Sequence, residues 1–321
     1  TVEGEVGDRD NIELPGVQLQ LLKRVRAVGK PTVVVLINGG GLGAEEIVQQ
    51  TDALVEAFYP GFFGARAMAD VLFGEVNPSG KLPVTMYRSD YVDEVQMKSM
   101  DMTTYPGRTY RYFKGTAVFP FGWGLSYTTF SLSIDNGTST NSTSSSGSEA
   151  VGLSSGEVSD SLNATISVVV SNDGDVAGDE VVFAFFRPVS TGATGPATLL
   201  NEQLFDYERV SLEPSESRRV SFTVGRSTLA LADTDGNLVS YPGSYEILVS
   251  NGVTEREVVS VEVSGDKALV REGVQPFPLS EEMATSGSAS RRDVRDRLLL
   301  MLAVFVMMGW LMLGFGGVSY K

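Results

Sequence analysis

Neither cysteine nor histidine occurs in this chain of 321 residues. Their absence removes thiol nucleophiles, thiolate and imidazole metal sites and the serine–histidine–aspartate triad, so any chemistry rests on carboxylates, tyrosine, lysine, serine or threonine. Positive charge is also scarce: 25 Lys and Arg stand against 40 Asp and Glu, for a formal charge of −15. Outside a short C-terminal cluster nothing concentrates enough cationic charge to neutralise a phosphate backbone, which argues against nucleic acid as a partner. No charged leader with an apolar core precedes the first domain and residue 1 is Thr, so the sequence reads as a fragment that opens inside a motif. The lack of cysteine does not fix the compartment, because a large secreted domain with a good core needs no disulfide.

What is present has the length of two ordinary domains. Residues 1–127 follow α/β grammar. An amphipathic stretch, Val17 to Val28, precedes a buried-strand run from Thr32 to Ile37 that ends in Asn38-Gly39-Gly40-Gly41. Ala53 to Phe58 reads as a second strand, Tyr59-Pro60-Gly61 as its turn and Ala65 to Phe73 as a helix, which together imply a mostly parallel sheet. Residues 128–161 turn to Ser, Thr, Gly and Asn and read as a flexible segment. Residues 162–264 carry short β runs at Ala164 to Ser171, Glu180 to Arg187, Arg218 to Val224 and Ser244 to Val249, separated by turn sequences. That spacing predicts an all-β sandwich of immunoglobulin or fibronectin type III character.

Residues 265–297 read as a linker, and Leu298 to Val318 is an uncharged apolar run of 21 residues. Such a helix spans roughly 30 Å, the thickness of a hydrocarbon core. Small residues at Ser286, Gly287 and Ser288 and a polar spacer of about nine residues fit a glycosylphosphatidylinositol signal equally well. The four arginines before the run favour a cytoplasmic N-terminal side. The sequons at Asn136, Asn141 and Asn163 favour the exterior and glycosylation. The expectation is a membrane-attached protein at the cell surface or outside it, with transmembrane helix and cleaved lipid-anchor signal both open.

The first ten residues hold Glu3, Glu5, Asp8, Arg9 and Asp10, which alone read as a solvated acidic loop. Asp8 and Arg9 suit a structural ion pair. The glycines Gly39 to Gly41 and Gly43 lack a phosphate-loop or complete dinucleotide pattern and read as a tight strand-to-helix turn. Glu45 and Glu46, at the start of the following helix, suit its macrodipole. The aromatic cluster from Tyr105 to Tyr127, including Tyr110, Tyr112, Phe113, Phe119, Phe121 and Trp123, suits either stacking on sugar rings or anchoring a domain junction.

Several runs together resemble a family. E-x-E-x-x-D-R from Glu3 to Arg9 with Leu14-Pro15-Gly16, Tyr59-Pro60-Gly61, Asn77-Pro78-Ser79-Gly80-Lys81-Leu82-Pro83, Tyr105-Pro106-Gly107-Arg108-Thr109-Tyr110-Arg111-Tyr112 and Phe119 to Phe130 are similar to the second domain of glycoside hydrolase family 3, in its β-xylosidase-type branch. More loosely, Val170 to Gly174, Ala177 to Val181 and Pro242-Gly243-Ser244-Tyr245 resemble that family's fibronectin type III-like domain. The resemblance implies an α/β sandwich domain followed by the β-sandwich, to which the apolar run adds a C-terminal hydrophobic helix. It also implies retaining hydrolysis of terminal β-linked sugars, as in xylan or arabinoxylan breakdown. The nucleophile would be an Asp on an N-terminal (β/α)8 barrel missing from this chain, and Glu3, with Glu5 second, would be the catalytic acid/base. The partners implied are a carbohydrate substrate and that barrel, with no cofactor and no metal, and the chain alone is expected to be inactive. The competing reading is a membrane-tethered carbohydrate-binding or surface module without hydrolytic role.

Overall fold

The computed structural model describes residues 9–135, 151–153, 164–191, 195–196, 200–252, 255–263 and 265–273. Strands β1 (Val33–Leu36) and β2 (Ala53–Glu56) pair in parallel, with Val33 opposite Ala53 and Leu36 opposite Glu56. A parallel pair requires a crossover, and α2 (Glu45–Gln49) supplies it. Helix α1 (Gln18–Arg26) precedes the pair and α3 (Gly64–Leu72) follows it, with the short α4 (Tyr91–Glu94) and α5 (Thr109–Tyr112) further on. The core of this region is small: Leu22, Leu36, Leu42, Ala44, Ile47 and Met86.

The strand read as buried is only half covered. Leu36 is buried, while Val33 and Ile37 are 50% and 60% exposed, because among the described residues this sheet has two strands and nothing pairs with the outer edge of β1. Helix α1 has the expected period, but Val17, Leu21, Val25 and Val28, which share one face, lie open and only Leu22 is buried.

The second region is a sandwich. Its strands are β3 (Phe130–Ile134), β4 (Val151–Leu153), β5 (Ala164–Asn172), β6 (Gly178–Ser190), β7 (Gln203–Leu212), β8 (Ser217–Val224), β9 (Leu231–Ala232), β10 (Leu238–Ser240), β11 (Gly243–Ser250), β12 (Arg256–Val263) and β13 (Ala268–Arg271). They form sheets ordered β4-β12-β11-β6-β7 and β3-β5-β8, with a smaller β13-β10-β9 sheet beside them. Alternation fills the space between: Ile166, Val168 and Val170 from β5 and Val220, Phe222 and Val224 from β8 meet Val182, Ala184 and Phe186 from β6 and Tyr245, Ile247 and Val249 from β11. The Tyr245 hydroxyl donates to the Tyr241 carbonyl at 2.9 Å, a tyrosine corner in form.

Two boundaries differ from the sequence reading, and two strands were not picked out by it. β3 and β4 fall inside the segment 128–161 taken as flexible, because Phe130 and Leu132 are buried on alternate positions and bring β3 antiparallel to β5. β13 falls inside the linker 265–297 and pairs with β10. β7 and β12 carry charges on their exposed positions, which hid their alternation. The sequon residues Asn136, Asn141 and Asn163 and the apolar run Leu298 to Val318 lie outside the described residues. Among the described residues no helix is long and apolar enough to cross a membrane.

The run from Asn77 to Lys81 is where the two regions join. Asn77 Oδ1 accepts the Tyr127 N–H at 2.7 Å, and a Cβ on Gly178 would stand 2.1 Å from Asn77 Nδ2. Arg209 of β7 donates to Ser79 Oγ at 2.8 Å and also to Asp179. Lys81 Nζ lies 2.8 Å from Glu180 Oε1 with both side chains buried, and Asn251 Nδ2 donates to the other Glu180 oxygen at 3.3 Å. A buried charge pair of this kind is costly to break from one side, which makes it a strong constraint on how the regions sit together. Beside it Tyr110 stacks on Phe121 with centroids 4.3 Å apart, and both pack on Phe183 and Phe185 of β6.

Candidate functional site

In an open parallel sheet the loops after the strands converge at the carboxyl edge, the usual place for a ligand. Here the loop after β1 (Asn38 to Leu42) and the residues closing β2 (Glu56, Phe58) border a cavity of about 630 Å³. Pro83 to Tyr87, α4 and the first three residues of α5 complete its walls, with Phe121 from the junction. The volume falls in the range of about 300–1,000 Å³ usual for small-molecule sites.

The lining is mostly apolar and aromatic. Tyr87 and Tyr91 stack face to face at 3.8 Å, with Phe113 edge-on to both. The Tyr91 hydroxyl donates to the Gly107 carbonyl at 3.0 Å, and burial together with the neighbouring Tyr87 hydroxyl pushes the Tyr91 phenol well above its ordinary value. Tyr87 Oη accepts the Thr109 N–H at 2.7 Å. Three left-handed residues other than glycine occur among the described residues, and two of them, Phe58 at φ 48° and Thr109 at φ 57°, line this one cavity. Such conformations cost about 1–3 kcal/mol each and gather where a site over-determines the backbone. Three wall residues also hold solvent-shielded polar atoms without a hydrogen-bond partner: Asn38 Oδ1, Thr85 Oγ1 and Arg111 Nε. Elsewhere on the Arg111 guanidinium, Nη2 donates to Gln203 Oε1.

The residues singled out from sequence are placed as follows. Glu3, Glu5 and Asp8 lie outside the described residues. Arg9 bonds to carbonyls: Nη2 donates to Gly41 O at 2.8 Å and Nη1 to Glu13 O at 3.3 Å, which ties Arg9 to the loop after β1. Gly39 and Gly43 answer to close packing, since a Cβ would stand 2.4 Å from the Tyr59 ring in the first case and 2.4 Å from Ser89 Oγ in the second. Glu45 Oε1 accepts the Ser89 N–H at 2.8 Å; desolvation alone would raise this carboxyl, but the bonds from Ser89 outweigh it and hold the group below its ordinary value. Glu46 pairs with Lys23 at 3.1 Å. Both glutamates therefore work as tertiary ties more than as dipole partners.

Of the aromatic cluster, Tyr110 and Phe121 serve the junction and the cavity together, Tyr112 packs on the sandwich core, and Tyr127 donates to the Val71 carbonyl at 2.7 Å. Sequence reasoning missed Asn38, Thr85 and Arg111 as wall residues. Asn38 was findable from its place just past a strand of a parallel sheet, whereas nothing local marks Thr85 or Arg111. Among the described residues no group of three or more acidic side chains could hold a metal ion.

Comparisons with known proteins give the same two-part division. Residues 1–127 match the glycosyl hydrolase family 3 C-terminal domain, and residues 180–253 match the fibronectin type III-like domain. The probable exo-1,4-β-xylosidase bxlB of Aspergillus oryzae is 35% identical over 297 residues, 91% of this chain and 36% of its own length. Beta-D-xylosidase 1 of Arabidopsis thaliana is 37% identical over 242 residues, 70% of this chain and 31% of its own. Among solved structures, a family 3 exo-β-xylosidase (XlnD) in complex with a xylobiose aziridine probe superposes with a TM-score of 0.70 at 28% identity, covering 88% of this chain and 36% of that one. A β-glucosidase from Listeria innocua in complex with gluconolactone gives 0.65 at 27%, covering 82% and 35%. The chain thus spans about a third of the length of these relatives.

Proposed function

The chain belongs to glycosyl hydrolase family 3, and from that premise we propose that it is the C-terminal part of a retaining β-glycosidase of the β-xylosidase type. The observation that carries the proposal is its 35% identity to an exo-β-xylosidase across nine-tenths of its length. The substrate is a terminal β-linked sugar, and the α/β region is one portion of an α/β sandwich whose remaining strands continue outward from the open edge of β1.

Retention needs two carboxylates roughly 5 Å apart, one to attack the anomeric carbon and one to protonate the leaving oxygen and then deprotonate water. The nucleophile is assigned to a barrel carried by the rest of the parent protein, and the acid/base to Glu3, with Glu5 second. Arg9 supports this assignment, because its bond to Gly41 holds Arg9 itself beside the carboxyl edge of the sheet. The chain's covalent reach then keeps Glu5 within roughly 14 Å and Glu3 within roughly 21 Å of Arg9. To act as an acid, the chosen carboxyl must hold its proton near neutral pH, which cover by the barrel would bring about through desolvation.

The test is hydrolysis of an aryl β-xyloside by this chain alone and by a version extended upstream through the barrel. Activity is expected only in the longer protein. Glu3→Gln is expected to lower its kcat by about 10²–10⁴-fold, with azide restoring turnover of Glu3→Ala as the glycosyl azide. Unaltered activity in both Glu3→Gln and Glu5→Gln would overturn the acid/base assignment, and no activity in the longer protein would favour a carbohydrate-binding module. The tail from Leu298 to Val318 we assign to membrane attachment, with Asn136, Asn141 and Asn163 glycosylated outside the cell. Release by a phosphatidylinositol-specific phospholipase distinguishes a lipid anchor from a retained helix, and a protein that is unglycosylated and unattached to membranes before any treatment refutes both assignments.

A further inference from the structure

We propose that the cavity at the carboxyl edge of β1 and β2 binds a neutral aromatic group, of the size of the aglycone on an aryl β-glycoside. The walls set that chemistry. Phe58, Tyr87, Tyr91, Tyr110 and Phe121 offer rings from four separate segments, and Val84 stands 46% exposed on the same lining. An aromatic ligand gains most from such surroundings, through burial of its own apolar area and offset or edge contacts with the rings. A charged ligand is disfavoured: Glu56 and Arg111 both line the cavity, so its wall carries one charge of each sign and favours neither an anion nor a cation.

Two features separate this cavity from a packing gap. The left-handed backbones of Phe58 and Thr109 both fall on its lining, and strain of that kind is kept where a site needs it. Asn38 Oδ1, Thr85 Oγ1 and Arg111 Nε also lie in its wall without partners, and shielded polar atoms of this kind call for one. The word glycoside rests on the hydrolase reading above; the aromatic preference rests on the cavity alone.

The experiment is equilibrium binding to the full chain, followed by ligand-observed NMR, with phenyl β-D-xylopyranoside, methyl β-D-xylopyranoside, phenol and inorganic phosphate as probes. The phenyl glycoside and phenol are expected to saturate, and the phenyl glycoside to bind at least about tenfold more tightly than the methyl glycoside. Val84→Arg, at an exposed position, is expected to abolish binding of both aromatic probes while leaving the thermal transition of the chain in place. Equal affinity for the two glycosides, preference for phosphate, no saturation by a chain with an intact transition, or binding indifferent to Val84→Arg would each overturn the proposal. Because the readout is binding by this chain without a barrel, the proposal can fail while the hydrolase reading stands. The hydrolase reading fails separately, on the activity of the extended protein.

Discussion

The two regions differ in how completely they bury their apolar side chains. The sandwich encloses Phe186, Phe222, Tyr245 and Ile247 with next to no exposure, while the α/β region leaves Phe62, Phe63 and Phe73 at 93%, 76% and 83%. A sheet of two parallel strands cannot cover its own faces and edges, and parallel sheets elsewhere are covered on both. The sandwich therefore has the makings of an independent folding unit. The α/β region has the surface of a part that meets more protein, and it is held in place by its junction with the sandwich.

The largest test of that contrast is a pair of truncations. Phe186→Ala in the sandwich is expected to cost about 3–5 kcal/mol, read by urea unfolding followed by circular dichroism. Phe73→Ala in the α/β region is expected to stay within about 0.5 kcal/mol in this chain and to become costly in the protein extended upstream. Equal effects in the two regions of the short chain would break the comparison.

Next comes the junction. Lys81→Met leaves the Glu180 carboxylate buried without its cation, and removal of one partner of such a pair costs about 3–5 kcal/mol. The double variant Lys81→Met with Glu180→Leu is expected to recover most of that loss, as a thermodynamic cycle would record. Additive losses would mean that each residue supports its own region and that the pair does not couple them.

The tyrosine corner sharpens the picture inside the sandwich. Tyr245→Phe keeps the ring and removes the hydroxyl that donates to the Tyr241 carbonyl, an expected loss of about 1–2 kcal/mol. Burial pushes the Tyr245 phenol up to about 12. A group raised in the folded state stabilises fully below its unfolded pKa of about 10. That contribution is lost as pH climbs from there through about 12, so Tyr245→Phe is expected to flatten the alkaline fall in stability.

β5 and β8 were legible in the sequence because their inward and outward positions differ in polarity, and β6 and β11 because they are continuous apolar runs buried on both faces. β3 was hidden by its serines, which occupy the outward positions between Phe130, Leu132 and Ile134. The run Asn77 to Lys81 could be recognised as a motif but its use could not. Glu180, Arg209 and Tyr127, which it meets, lie 50 to 130 residues from their partners in sequence, and nothing local links them. The cavity was half legible: a parallel strand ending in Asn38 marks the edge, while Thr85 and Arg111 arrive there through tertiary folding alone.

The smallest expected effect compares two exposed aspartate turns, one in each region. Hydrogen bonds from the Thr104 hydroxyl and from the Thr103 backbone and side chain pull Asp101 down to about 2. In the sandwich, bonds from Asn237, opposed by slight desolvation and joined by the Asp235 N–H, lower Asp233 as well. Both carboxylates stabilise their turns above the ordinary value of about 3.9, and the stabilisation is lost as pH falls through the depressed folded value. A ¹³C carboxyl titration is expected to give Asp101 a midpoint near 2 and Asp233 one below 3.9. If Asp101 alone titrated at the ordinary value, its turn would be unformed in this chain, and the weakness of the α/β region would extend beyond its open faces to its local structure.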